Sequence, residues 1–168
     1  MQYFSRLLLM FVAMFAGWSA LAPADALSTG RPVLSVSQAA AAGQNPTTVD
    51  LDMATLEGLP HYTIATTTPW TDGVSRFEGV LVRDLLRHLG VNGALTTFAA
   101  LNDYKVQIPT ADFAKYDVLL AYKRDGAYMP VRDKGPLWVI YPLDQHPELN
   151  SEETRSKMIW QVRRVVVE

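Results

Sequence analysis

The chain contains no cysteine and only three histidines in 168 residues. The first absence excludes disulfides, a thiolate nucleophile and the sulfur-rich zinc sites. The second leaves little for a histidine metal centre, because His61, His88 and His146 lie far apart and share no ligand spacing. Nor is there an excess of charge. Fifteen Lys and Arg face seventeen Asp and Glu, a net charge of −2, and a near-neutral balance argues against nucleic acid, which asks for a basic face. No glycine-rich phosphate loop precedes a helix, no Gly-x-Ser-x-Gly elbow presents a serine, and no repeat period shows.

A long, clean apolar run is also missing. The stretch Leu7 to Trp18 is apolar, but Gly17, Ser19 and Pro23 interrupt its continuation, so it falls short of the ~20 residues of a membrane span. With Arg6 ahead of it and Ala24-Asp25-Ala26 behind it, it reads as an export leader, residues 1–26, cut after Ala26. Cleavage after Ala22 would leave Pro23 next to the cut, which is unfavourable, and an uncleaved anchor helix is the competing reading. Removal of the leader leaves Leu27 to Glu168, 142 residues with the net charge still −2. That length suits one globular unit with a core of its own, periplasmic or secreted.

Within 27–168, residues 27–49 read as an N-terminal strand ("VLSVS") and a loose loop, and residues 50–168 as the body of the domain. "VDLDMATLEGLP" ends a strand and adds one helical turn stopped by Gly58 and Pro60. "HYTIATTT" is a strand that Pro69 bars from continuing, and "SRFEGV" a short extended piece. "VLVRDLLRHLG" predicts a helix, since Val82, Leu85, Leu86 and Leu89 recur at i, i+3, i+4 and i+7 and Gly90 follows as a cap. "LTTFAAL" and "YKVQIP" read as strands and "TADFAKY" as a short helix. "DVLLAYKRDGAYMP" is a hairpin turning at Asp125-Gly126. "PLWVIYP" and "WQVRRVVVE" are the last two strands, joined by the polar turn "DQHPELNSEETRSK". The class is α+β with a mixed sheet.

These elements carry little chemistry by themselves. Ser75 sits in a turn with no base beside it, and Asp50 and Asp52 repeat one solvent face of a strand. "YKRDG" reads as a charged hairpin tip. The informative feature is "IATTTPW", three threonines in a row between an apolar lead-in and a Pro-Trp pair. It could rim a pocket, but it offers neither a strong nucleophile nor a good metal ligand.

Taken in order, "TIATTTPWTDGVSRFEGVLVRDLLRHLGV", "ALNDYKVQIP", "LLAYKRDGAYMPVRDKGPLWVIYP" and "WQVRRVVVE" resemble the sulfite-oxidase-type molybdopterin-binding domain over roughly Asp50 to Glu168. In that family a strand runs into the metal-site loop and an aromatic-x-Gly-Val element launches a helix ending in Leu-Leu. An (Asn/Asp)-(Asp/Gly)-Tyr strand, an LAY-type hairpin and a Gly-Pro-Leu strand follow. The resemblance implies a mixed-sheet α+β fold with few short helices.

It also implies a departure. Catalytic members bind molybdenum through a cysteine near the end of the first of these strands, a place that falls at Ala65 to Thr67 with Thr66 the best counterpart. A threonine hydroxyl stays protonated and ligates poorly where a thiolate is soft and anionic, so cysteine-ligated molybdenum is excluded for this sequence. A molybdopterin cofactor could still be held by its ring edge and phosphate, and the matching segments offer Thr66, Thr68, Trp70, Asn102, Asp103, Arg124, Arg132 and Lys134. Each has an ordinary role as well: Trp70 as a core aromatic, Asp103 as a turn residue, Arg132 and Lys134 as solvated loop charges.

Two functions follow from the resemblance. One is an exported binding module for a small-molecule or pterin-type ligand, without thiolate-ligated metal catalysis. The other is a periplasmic molybdopterin-dependent oxidoreductase that holds the cofactor without a protein cysteine. A third role, as partner of a membrane-bound sensor or redox protein, rests only on export and small size.

Overall fold

The computed structural model describes residues 30–39 and 47–168; the expected leader, 1–26, lies outside the described residues. The strands there form two five-stranded sheets where the sequence suggested one. The first sheet is mixed. It takes β1 (Leu34–Gln38), β2 (Thr47–Leu51), β5 (Leu95–Ala100), β6 (Lys105–Pro109) and β10 (Val162–Val167), in the order β2-β1-β10-β5-β6. Its β1–β10 pair is parallel and the rest are antiparallel. The second sheet is wholly antiparallel, running β3 (His61–Thr67), β4 (Val74–Leu81) and β7 (Leu119–Arg124). Along the free edge of β7, β8 (Ala127–Tyr128) pairs its last residues and β9 (Trp138–Ile140) its first.

Both sheets contribute to one core. Leu34, Val36, Phe98 and Val165 from the first join Phe77, Leu120, Val139 and Ile140 from the second in a single buried cluster. The alternation that places them there is visible in β3, where Ile64 and Thr66 are buried while Thr63, Ala65 and Thr67 are exposed.

The helices are short. α1 (Met53–Glu57) is capped by Asp52, whose Oδ1 accepts the Thr55 N–H at 2.8 Å. Asp52 is therefore a buried capping group rather than half of a solvent-facing carboxylate pair. α2 (Val82–Leu89) buries Val82, Leu85 and Leu86, half-buries Leu89, and ends on Gly90 in the left-handed region, φ 67°. α3 (Ala111–Lys115) follows β6 and buries Phe113. The β7–β8 turn is at Asp125 (φ 50°) and Gly126 (φ 82°), the pair of left-handed residues that a two-residue hairpin demands.

Three local readings need correction. Ser75 is buried within β4, not in a turn, because "SRFEGV" extends to an eight-residue strand paired on both sides. The charges of "YKRDG" are not a bare tip: Lys123 is held by Glu57 and Glu78, and Arg124 by Asp133. The segment between the last two strands is not a plain turn either. It holds a 3-10 turn at Pro147–Leu149 and a fourth helix, α4 (Glu152–Lys157). Ser151 caps that helix through a 3.1 Å bond from the Thr154 N–H, and Glu152 and Glu153 occupy its positive end.

The packing of α2 yields a test. Truncating buried Leu85 to alanine should cost ~2–5 kcal/mol of a stability of ~5–15 kcal/mol. Arg87, with its side chain 73% exposed and paired with Asp84 at 2.9 Å, should lose at most ~1 kcal/mol on replacement by alanine. Urea unfolding of Leu85→Ala and Arg87→Ala checks both, and equal midpoints would reverse the assignment of the helix face.

Candidate functional site

The threonine run resolves into three different joints. Thr66 is fully buried; its Oγ accepts the Asp144 N–H at 3.2 Å and lies 3.3 Å from the Thr67 carbonyl. Thr67 faces outward and gives its N–H and Oγ–H to the two Asp144 carboxylate oxygens, at 2.8 and 2.6 Å. Thr68 turns inward again. Its Oγ sits 2.9 Å from that of Thr71 and accepts the Trp70 N–H at 3.2 Å, which bends the chain at Pro69 and delivers the Trp70 indole sideways.

Trp70 enters an aromatic cluster. Its ring centre lies 5.3 Å from Trp160, edge to face, and 6.0 Å from Trp138. Trp138 is fully buried and donates its indole N–H to the Met158 carbonyl at 2.9 Å. The Lys134 ammonium lies 5.6 and 5.9 Å from the Trp138 and Trp160 rings, within cation–π range.

Two cavities open on this region. One, of about 460 Å³, is walled by Trp70, Asn102, Tyr104, Arg155, Met158 and Trp160, with Glu152 and Ser156 at its side. The other, of about 500 Å³, is bounded by Thr67, Thr68, Pro69, Asp144 and Asn150. Arg155 belongs to both. Its Nη2 donates to the Asn150 side-chain oxygen at 3.1 Å, while its Nε is buried without a hydrogen-bond partner.

α4 brings Arg155 there. Glu152, Arg155 and Ser156 stand at i, i+3 and i+4, one face of the helix. On its other side Lys157 bonds Asp112 of α3 at 3.1 Å and Glu153 at 2.8 Å. Burial works against the Lys157 ammonium, but those hydrogen bonds outweigh it and raise its pKa above the usual lysine value. Tyr141 also bonds Asp112, at 3.1 Å, and burial keeps its phenol neutral well above the usual tyrosine range.

The eight residues marked in the sequence thus divide. Trp70 and Asn102 line the first cavity and Thr68 the second. Lys134 packs on the indoles behind them. Thr66 is a buried backbone partner, not a rim group. Asp103 is drawn away to Arg163 at 2.6 Å, and Arg124 to Asp133 at 2.9 Å. Arg132 is exposed and lines neither cavity. His88 is exposed, and His146 lies against Tyr116 and Glu148. Among the described residues, no three His, Asp or Glu side chains gather as a metal site, and no helix is long and apolar enough to cross a membrane. Arg155, Tyr104 and Trp160 were not foreseen as site residues. The available signal for Arg155 was the Ser151 cap with two acids after it, which marks a helix start.

The chain matches the oxidoreductase molybdopterin binding domain over residues 34–144. That is well over half its length, and the chain belongs to this family, with the sulfite-oxidase-like α+β fold. The match begins at β1, earlier than the resemblance in the sequence suggested, and stops at Asp144, so the α4 and Trp160 wall lies beyond it. A search of curated proteins gave no match.

The cavity residues fit the organic part of a molybdopterin. The first cavity lies in the range for small ligands, ~300–1,000 Å³, its indoles can cover a planar ring, and the positive charge of Arg155 suits an anionic group. They cannot add a protein thiolate to the metal, since the sequence has no cysteine.

The directions of the three threonines can be tested by cysteine reactivity. Thr67→Cys, facing solvent, should be alkylated readily by a polar maleimide under native conditions. Thr66→Cys should be protected until the protein is unfolded, and mass spectrometry reads the difference. Equal labelling of the two would show that β3 does not present its end in this register.

Proposed function

We propose that the protein is an exported binding module that takes a molybdopterin-type ligand between Trp70, Tyr104, Arg155 and Trp160, without thiolate-ligated metal catalysis. The observation carrying this reading is the Arg155 guanidinium in the wall of an indole-lined cavity, in a chain of a molybdopterin-binding family. Tyr104 and Asn102 would border the ligand, Arg155 would bind its anionic end, and the Thr67–Asp144 pair would close the adjoining cavity. A bound cofactor would bring molybdenum on its own dithiolene sulfurs. The residues of this chain would supply stacking, charge and exclusion of water.

The alternative, a periplasmic molybdopterin-dependent oxidoreductase with no protein cysteine on the metal, shares this site and differs in turnover. Service to a membrane-bound sensor or redox protein is compatible with either. Export is supported by the apolar start and the Ala24-Asp25-Ala26 pattern. The intact mass of the exported form should accordingly begin at Leu27, and a mass retaining residues 1–26 would favour an anchored domain.

The decisive experiment uses protein purified from its own export compartment, assayed for oxidised-pterin fluorescence and for molybdenum. Pterin should co-purify. Arg155→Ala should weaken its retention by roughly 10- to 100-fold, the loss of a charged hydrogen bond of ~1.5–3 kcal/mol, while Arg132→Ala should leave it unchanged. Absence of pterin from the native protein, with no uptake of added pterin cofactor, would end this reading.

A further inference from the structure

A third cavity, of about 610 Å³, lies where β1, β10 and the loop after β8 meet, and it shares no lining residue with the other two. Arg31, Arg163 and Arg164 line it, with no carboxylate among the described residues of its walls. The placement of two consecutive arginines on one cavity is unusual for a strand, because neighbouring side chains normally point to opposite faces. Here a bulge intervenes. The β10–β5 register shifts between Val162 and Arg164, leaving Arg163 unpaired in the ladder, and a bulge re-aims the side chains around it. Arg164 stands beside Ser35 of β1, which also lines the cavity.

The charges here are incompletely matched. Arg163 bonds Asp103 at 2.6 Å through Nη2, yet its Nε is buried without a hydrogen-bond partner. Arg31 and Arg164 form no ion pair among the described residues. The remaining wall is apolar: Val33, Leu34 and Pro136, with Leu101 and Val131 exposed at 42% and 51%. Like charges brought together repel, and an anion would relieve that repulsion while accepting from the guanidinium groups of Arg31 and Arg164.

We propose that this cavity is a second ligand site, for a small amphiphilic anion whose phosphate or carboxylate head meets Arg31, Arg163 and Arg164 and whose hydrocarbon body lies on Val33, Leu101 and Val131. The site is independent of the molybdopterin reading, since none of its residues touches the indole cavity. The head is recognised by charge and the body by apolar contact, so neither part alone suffices.

Calorimetric titration of the exported protein with octyl phosphate, inorganic phosphate and 1-octanol tests this. Octyl phosphate should bind with one-to-one stoichiometry, more tightly than either of the others, and more weakly as salt is raised. The double variant Arg31→Gln/Arg164→Gln should bind it at least about tenfold more weakly through loss of charge-assisted contacts, with an unchanged thermal midpoint and unchanged pterin content. Arg163 is left in place because it also holds Asp103. Equal affinity for 1-octanol would overturn the role of the arginines. Equal affinity for inorganic phosphate would overturn the amphiphile. Absence of octyl phosphate binding to the wild-type protein would overturn the site, and the three wild-type titrations decide this even if the double variant folds poorly.

Discussion

Asp144 and the two threonines at the end of β3 form the joint on which the candidate site depends. With its own N–H and both carboxylate oxygens, Asp144 engages Thr66 and Thr67, 78 and 77 residues earlier in the chain. A neutral hydrogen bond nets ~0.5–1.5 kcal/mol and a charged one ~1.5–3, so the joint is a notable share of a domain's stability. Its larger effect is positional. It sets where the chain leaves the second sheet toward Pro69 and Trp70, and also where the segment toward Asn150 and α4 begins. Those two departures form opposite walls of the cavities that share Arg155.

The threonine run is therefore a set of connectors. One hydroxyl, from buried Thr66, serves a backbone N–H, the next a carboxylate, and the third the turn that carries Trp70. Cysteine at 66 would place a weak acceptor where Thr66 Oγ now satisfies Asp144, so the hydroxyl and the ligating sulfur are competing uses of a position at this strand end. In this chain the position is given to structure. Recognition is left to flat indoles and a guanidinium, which suit a ligand that is planar and anionic.

The parts legible in the sequence were those with a strong local period or a demanding turn. α2 showed itself through Val82, Leu85 and Leu86, and the β7–β8 hairpin through Asp125-Gly126. The ordered segments pointed to the family, and through it to Trp70 and Asn102. α4 escaped because six residues give no periodicity and only Thr154 is buried; beyond the local Ser151 cap, its anchor is the tertiary contact of Lys157 with Asp112. Arg155 and Trp160 were hidden with it. Arg124 and Asp103 come from the segments that carry the resemblance, but each is drawn to a partner, Asp133 or Arg163, that is distant or unmarked in the sequence. The division of the strands into two sheets follows from pairings such as β1 with β10, across more than 120 residues, and no local pattern encodes that.

A backbone junction separates the indole cavity from the arginine-lined one. Gln161, at φ 53°, lies between Trp160 of the first and Arg163 of the second. Its N–H donates to the Lys134 carbonyl at 3.2 Å, its carbonyl accepts the Leu101 N–H at 2.9 Å, and its side-chain amide reaches the Val131 carbonyl at 2.6 Å. Lys134 and Asp103 are themselves left-handed, at φ 62° and 63°. Such conformations are uncommon outside glycine and carry a local cost, offset here by the bonds that converge on Gln161. What this achieves is a change of direction within a few residues. Ala100 and Asn102 face the indole cavity while Leu101 faces the arginines, and Trp160 and Arg163 divide in the same way. Regular strands would hand each ligand wall on by simple alternation; the left-handed turn at Gln161 and the bulge beyond it let two short chain segments build both cavities at once.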